Sequence, residues 1–409
     1  MIKILHICQY YNNSWNYQEN ILPRYYAELG CDVIVITSDR KPFYRGDKEK
    51  RIIKEDIFFE NGVKIRRIPI KLEYINRFVI FKNLYNVLEE EKPDCIFHHG
   101  ITMPSVATAV RYKRNHPDTV LVVDSHSDIY NSGNKFISKY FYHNIIWRML
   151  IKYWLPYIDK IYCVTPSVAK FETVFHGIPS NKIELLYLGS DIKHSHFDLE
   201  ACKTIREKIC ISENEVLIVT TGKLQTKKKT ERLIMAVKRI NNPNLRLMII
   251  GTAESSRMKQ LKKLAIDDSR IIFIGWVPSK DLYKYFSAAD IGIWPACQTV
   301  TFQEAIGCSL PIIVKHYYGT EYLTQYQNGF QLYSDSVEEI IEKIEFLLSY
   351  PNVLKEMRER AQKLAENILS YELIAKKSLQ PLYKRHYLTK NSYDARTRTD
   401  KNKKIRSII

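Results

Sequence analysis

Three things are missing from this 409-residue sequence: a run of apolar residues long enough to span a bilayer, a paired-cysteine pattern, and the two commonest phosphate-binding loops. No stretch approaches the ~18 continuous apolar residues of a spanning helix. The N-terminal run MIKILHICQYY is too short for a signal peptide and continues directly into a strand-like pattern with no small-residue cleavage site. The eight cysteines (Cys8, Cys31, Cys95, Cys163, Cys202, Cys210, Cys297, Cys308) form no CxxC pair and no compact secreted frame. Free thiols, a reducing compartment and no zinc site are therefore expected. Neither GxGxxG after the first strand nor GxxxxGK[ST] anywhere occurs, which removes a dinucleotide-dependent dehydrogenase and a P-loop enzyme. Acidic residues are also in deficit: 45 Asp and Glu face 62 Lys and Arg, a formal net charge of +17. Such a chain needs anionic company, which nucleic acid, anionic lipid or a phosphorylated substrate would supply.

What is present is an alternation of apolar runs and amphipathic stretches. A length of 409 residues makes two domains the default, at roughly 100 to 200 residues each. Ile4–Ile7, a periodic segment from about Glu19 to Leu29 stopped by Gly30, and Val33–Ile36 read as a strand, a helix and a strand. Further strands are expected at 95–97, 120–123 and 161–164, with room for crossover helices between them. The pattern breaks near Leu188-Gly189-Ser190-Asp191. It resumes with strands at 216–219, 247–250, 271–274, 291–294 and 311–314, a helix over 231–240, and a later helix with Ile340, Ile344, Leu347 and Leu348 on one stripe. The fold class expected is α/β, two doubly wound parallel-sheet units in tandem facing a cleft, with ligands at the carboxyl ends of the strands. Residues 390–409 are polar, basic and aperiodic.

The densest chemical signal is Thr299-Val300-Thr301-Phe302-Gln303-Glu304-Ala305, preceded by Ala288-Ala289-Asp290-Ile291-Gly292-Ile293-Trp294-Pro295 and followed by Cys308-Ser309-Leu310-Pro311. The start of a helix beside a loop offers unpaired N–H groups to a diphosphate, and a nearby carboxylate can accept from ribose hydroxyls. A second element is Thr221-Gly222-Lys223-Leu224-Gln225-Thr226-Lys227-Lys228-Lys229, directly after the first strand of the second half. A triple lysine is ordinarily a solvated loop; its place after a strand end suits the holding of phosphate.

Together these segments resemble the retaining glycosyltransferases of family 4, of GT-B fold, and the resemblance covers nearly the whole chain to Leu388. It implies domains at 1–192 (acceptor side) and 193–370 (nucleotide-sugar donor side), a helix near 371–388 crossing back, and a basic mobile tail over 389–409. It makes Glu304 the ribose ligand and Lys223 and Lys228 the diphosphate cations, with Lys227 or Lys229 open for the place given to Lys228. Thr299, Val300, Thr301, Gln298 and Gly222 join the donor site, and Trp276 and Val277 pass the nucleobase. The family's second glutamate, eight residues before Glu304, is here Ala296; Gln298 or the 299–301 backbone would fill that space. His126, at the end of Val122-Val123-Asp124-Ser125-His126-Ser127-Asp128, matches a histidine near the donor sugar, with Asp124 or Asp128 setting its tautomer. Asn16, Tyr17 and Glu19, in a loop like that of a polysaccharide-assembly branch, and Asp128 stand on the acceptor side.

The resemblance further implies retention by front-face attack with no protein nucleophile. No DxD triplet occurs, so cations are expected to do the work of a metal, with no metal ligands and no cofactor beyond the nucleotide sugar. The aromatic and basic segment 135–160 suits a lipid interface. A cytoplasmic enzyme peripheral on the inner membrane face follows, acting on a lipid-linked or oligosaccharide acceptor and not on nucleic acid, for which no module accompanies the charge. The rival expectations are a nucleotide-sugar epimerase of the same fold and a silent binding subunit.

Overall fold

The computed structural model describes residues 1–13, 16–42, 51–53, 56–74, 78–132, 137–334 and 336–385, the side chains of 137–139 excepted. The tail expected over 389–409 and Lys135 lie outside them, as does the side chain of Lys139. Among the described residues the chain divides into two compact units, the first drawn from 1–12, 22–186 and 375–385, the second from 13–21 and 187–374. The division near 186 is six residues earlier than the boundary expected at 192, and the short segment 13–21 belongs with the second unit.

The strands are β1 (Lys3–Ile7), β2 (Asp32–Ser38), β3 (Ile57–Glu60), β4 (Val63–Ile68), β5 (Ile70–Tyr74), β6 (Phe78–Phe81), β7 (Cys95–His98), β8 (Val120–Ser125), β9 (Lys160–Cys163) and β10 (Ile183–Leu185) in the first half of the chain. They are followed by β11 (Val216–Thr221), β12 (Leu245–Ile250), β13 (Ile271–Gly275), β14 (Ile291–Trp294), β15 (Ile312–Lys315) and β16 (Gly329–Leu332). The first unit holds an eight-stranded sheet in the order β10-β9-β8-β7-β1-β2-β4-β3. All its pairings are parallel except β3 with β4, and β5 with β6 forms a separate antiparallel hairpin. The second unit holds six parallel strands in the order β13-β12-β11-β14-β15-β16.

Strands of a parallel sheet are covered on both faces, which is why they read as unbroken apolar runs. In the second unit the alternation is visible in the core. Leu217, Val219, Met248 and Ile250 join one buried cluster with Trp294 and Phe302. Their neighbours Ile218, Leu247 and Ile249 join another with Leu233 and Ile344. Period-two side-chain direction thus builds one core on each face of the sheet. Helix starts are secured by side-chain caps at Asp198, which accepts from Ala201 N–H, and at Ser336, which accepts from Glu339 N–H.

Each sheet has one point where strand order reverses, between β1 and β7 in the first unit and between β11 and β14 in the second. At such a point the connections leave to opposite faces and a crevice opens at the carboxyl ends. In the second unit this crevice is flanked by the loops after β11 and β14, which carry Gly222-Lys223 and Pro295–Thr301.

Candidate functional site

In the second unit the floor is built by threonine. Thr221, the last residue of β11, donates from Oγ1 to Thr301 Oγ1 (3.1 Å), and Thr301 donates in turn to Thr299 Oγ1 (3.2 Å). The Trp294 indole N–H, at the end of β14, donates to Thr221 O (3.2 Å). The two strand ends and the start of the helix Thr301–Gly307 are thereby bound into one block. Close approach demands glycine at two points here. A Cβ on Gly251 would stand 1.9 Å from Gly222 O, and one on Gly307 1.8 Å from Ser190 Oγ.

Above this block Lys228 is half-buried with its Nζ donating to Gln298 O (3.4 Å), and burial lowers its pKa. Lys223 is exposed, and Gly222 adopts φ 122°. The structure therefore places Gly222, Lys228, Gln298, Thr299 and Thr301 around one strand-end crevice. Trp276 is elsewhere in character: it is 69% exposed, while Val277 packs on the core.

Glu304 lies in a recess lined by Asn16, Gln18, Asp191, Tyr283, Val300 and Tyr371 among others. Burial raises its carboxyl pKa to about 8; a hydrogen bond from Asn16 opposes the rise and the nearby Asp191 adds to it. Its Oε2 has no hydrogen-bond partner among the described residues. Of the N-terminal candidates, Asn16 and the neighbouring Gln18 reach this recess, while Tyr17 is 42% exposed and Glu19 is only partly buried. Gln18 and Asp191 went unnoticed in the sequence. Both were in view, Gln18 as the middle of a polar stretch and Asp191 as part of the break at Leu188–Asp191, but only burial separates them from solvated neighbours.

The first unit supplies a separate set at the carboxyl ends of β7 and β8. Asp124 is fully buried and its Oδ2 faces His99 Nδ1 (2.7 Å) and His126 Nε2 (3.3 Å), while Oδ1 accepts from Gly100 N–H (2.7 Å). Burial pushes this carboxyl up, and the charges of His99 and then His126 more than reverse it, holding it well below the usual range. An ionised carboxylate only accepts, so both imidazoles present N–H to it. His99 Nε2 lies 3.2 Å from His6 Nδ1, and burial holds the pKa of His6 well below the usual imidazole range. Asp128, by contrast, is buried in its own turn and accepts from Tyr130 and Asn131 N–H (2.9 and 2.8 Å). Asp124 is thus the carboxylate that orients His126. The ligand atoms of His99, Asp124 and His126 lie within 4.8 Å of one another, the one grouping among the described residues with the geometry to hold a metal ion.

Residues 22–194 match the family model described as Glycosyltransferase Family 4, and residues 202–364 the model described as Glycosyl transferases group 1. A curated relative from Caldanaerobacter subterraneus is the UDP-N-acetylglucosamine–N-acetylmuramyl-(pentapeptide) pyrophosphoryl-undecaprenol N-acetylglucosamine transferase. It is 29% identical over 185 residues, 41% of this chain and 49% of that protein, so the match spans about half that relative's length. The alpha-monoglucosyldiacylglycerol synthase of Acholeplasma laidlawii is 23% identical, with 87% of this chain and 89% of that one aligned. Among solved structures, sucrose-phosphate synthase from Thermosynechococcus elongatus superposes with a TM-score of 0.70 at 16% identity, covering 95% and 100% of the two chains. HepE of Anabaena in complex with UDP gives 0.69 at 14% identity, covering 94% and 100%. These structural likenesses establish the fold.

Proposed function

Since this chain belongs to the GT-B glycosyltransferases of family-4 type, we propose that it moves a sugar from a nucleoside diphosphate donor to a lipid-linked or oligosaccharide acceptor, with retention of anomeric configuration, in surface polysaccharide assembly. The observation that carries the donor half is Glu304, a carboxylate in a recess of the second unit whose Oε2 is buried without a partner among the described residues. An orphaned buried acceptor costs roughly 1–3 kcal/mol, which a pair of sugar hydroxyls would recover. Lys228 and Lys223, after β11, hold the diphosphate and stabilise the departing phosphate charge, as electrostatic stabilisation of a leaving group requires. Partial burial sharpens the effect of Lys228, because a charge in lower dielectric acts more strongly.

His126, held by Asp124, serves the sugar, and the leaving phosphate takes the acceptor proton in front-face attack. We assign the His99–Asp124–His126 grouping to this positioning and propose transfer without a metal. The names of two relatives, a pyrophosphoryl-undecaprenol N-acetylglucosamine transferase and a monoglucosyldiacylglycerol synthase, favour a lipid-borne acceptor. The segment around Ile137–Trp154 adds support: Phe141, Ile145, Met149 and Tyr153 are exposed beside Arg148 and Lys152, and no acidic residue occurs between Asp128 and Asp159. An apolar face fringed by cations suits an anionic bilayer surface on the cytoplasmic side.

The second reading, a silent binding subunit, draws on Ala296, which is only 4% exposed and unable to hydrogen-bond a sugar through its side chain. Thermal-shift screening of nucleotide sugars, followed by a donor-hydrolysis assay, decides between them. Binding that Lys228→Ala and Glu304→Ala each weaken at least ~10-fold, with release of free sugar by the wild type, is the expected result. Binding indifferent to both substitutions overturns the donor site; binding without any turnover leaves the silent subunit.

A further inference from the structure

Gln18 opens the helix Gln18–Glu28 and is 2% exposed, yet neither its Oε1 nor its Nε2 has a hydrogen-bond partner among the described residues. A primary amide carries two donors and an acceptor with two lone pairs, so burying it unpaired is costly. Native proteins rarely tolerate this without a compensating use. Gln18 lines the same recess as Glu304, whose Oε2 is also unpaired, and Asp191 and Tyr371 share that lining. The recess spans about 490 Å³ with its open mouth included. Asn16 hydrogen-bonds Glu304 in this recess.

We propose that Gln18 and Glu304 together form a clamp for a vicinal diol, the 2′- and 3′-hydroxyls of the donor's ribose. The two groups are complementary for this task. The carboxylate accepts from both hydroxyl protons, and the Gln18 amide donates to a hydroxyl oxygen and offers its own oxygen to the ring's surroundings. Glu304 as ribose ligand belongs to the functional reading above, on which this inference rests; the added element is that Gln18, from the beginning of the chain, makes the recess selective for ribose over 2′-deoxyribose. A site built to pair a hydroxyl rejects the analogue that lacks it, because its own polar atoms are then left bare.

The test uses the full chain and measures binding of UDP, ADP and GDP alongside their 2′-deoxy counterparts by titration calorimetry, with the ligand-free melting temperature recorded for each protein. Wild type is expected to favour the ribonucleotide at least ~10-fold, and Gln18→Leu to narrow that ratio to within about threefold. Because Gln18→Leu removes an unpaired buried amide, its ligand-free melting temperature is expected to rise by a few degrees, on the order of ~2–4 °C. That combination, weaker diol selection with a more stable empty protein, is not what a merely structural glutamine would give. An unchanged ribo-to-deoxy ratio in Gln18→Leu, or a lowered melting temperature with the ratio retained, overturns the inference while leaving the donor site standing. Gln18→Met serves as the second variant if Leu packs badly, and the same two readouts apply. A wild type that binds none of the six nucleotides overturns the functional reading and this inference with it.

Discussion

Glu304 is the residue whose chemistry has the clearest consequence in solution. Its carboxyl titrates near 8 in the folded protein against 4.5 for the unperturbed group. A raised carboxyl pKa means that the native state holds a proton the unfolded chain has released, so the contribution of Glu304 to stability is fully present below about pH 4.5 and is lost as pH rises through the window to about 8. The difference amounts to roughly a few kcal/mol. In Glu304→Gln this slope is removed, and urea unfolding at pH 5, 7 and 9 is expected to give a shallower pH dependence than wild type; superimposable profiles would refute the assignment. Ligand affinity runs the other way. A carboxylate that accepts from two hydroxyls must be ionised, so nucleotide affinity is expected to strengthen up to ~10-fold per pH unit between about 6.5 and 8 and then level off. At this scale the candidates Glu304, Lys228 and His126 came from the family resemblance, laid on a helix start, a loop after a strand and a strand end. Sequence reasoning passed over Gln18, since a glutamine in a polar stretch has no local mark of burial.

Among the elements, the loop after β11 depends on how closely two backbones approach. Gly251, with φ 130°, leaves no room for a Cβ against Gly222 O. Gly251→Ala is expected to cost on the order of 3 kcal/mol and to displace the Gly222-Lys223 turn, weakening nucleotide binding at the same time. A change of under ~1 kcal/mol by urea unfolding, with binding intact, would exclude this account. The helical stretch Ile137–Trp154 makes a second prediction at this scale. Its exposed Phe141, Ile145 and Met149 are expected to carry lipid binding, so changing the three to serine should reduce flotation with anionic vesicles at least ~10-fold while leaving nucleotide binding as it was. Full retention of flotation would remove that face from the membrane proposal. The sequence marked ten of the sixteen strands among the described residues. Of those it missed, β3, β10 and β16 sit at sheet edges and β5 and β6 form a separate hairpin, where neighbouring strands rather than their own periodicity decide pairing, while the interior β4 reads VKIRRI, too charged to stand out as an apolar run.

For the whole molecule, charge and cofactor chemistry are the testable properties. With a net charge of +17, association with anionic vesicles is expected to weaken as salt rises from 50 to 500 mM, because screening shortens the reach of each cation while the apolar contribution persists. Transfer is expected to survive EDTA, since Lys223 and Lys228 provide the positive charge. A strict requirement for a divalent ion would overturn that mechanism and redirect attention to His99, Asp124 and His126, whose ligand atoms are close enough to hold one.

The amino-acid sequence alone determined the α/β class, the two sheet-building halves and the strand-end placing of the main polar candidates. These follow from local regularities: unbroken apolar runs for strands buried on both faces, and polar residues where such runs stop. Tertiary structure alone decided that residues 13–21 belong with the second unit, that Asp124 and not Asp128 orients His126, and that Gln18 is buried beside Glu304. Each of those depends on which distant segments exclude water from a polar group. Burial and pairing over hundreds of residues leave no periodic trace in the chain that carries them.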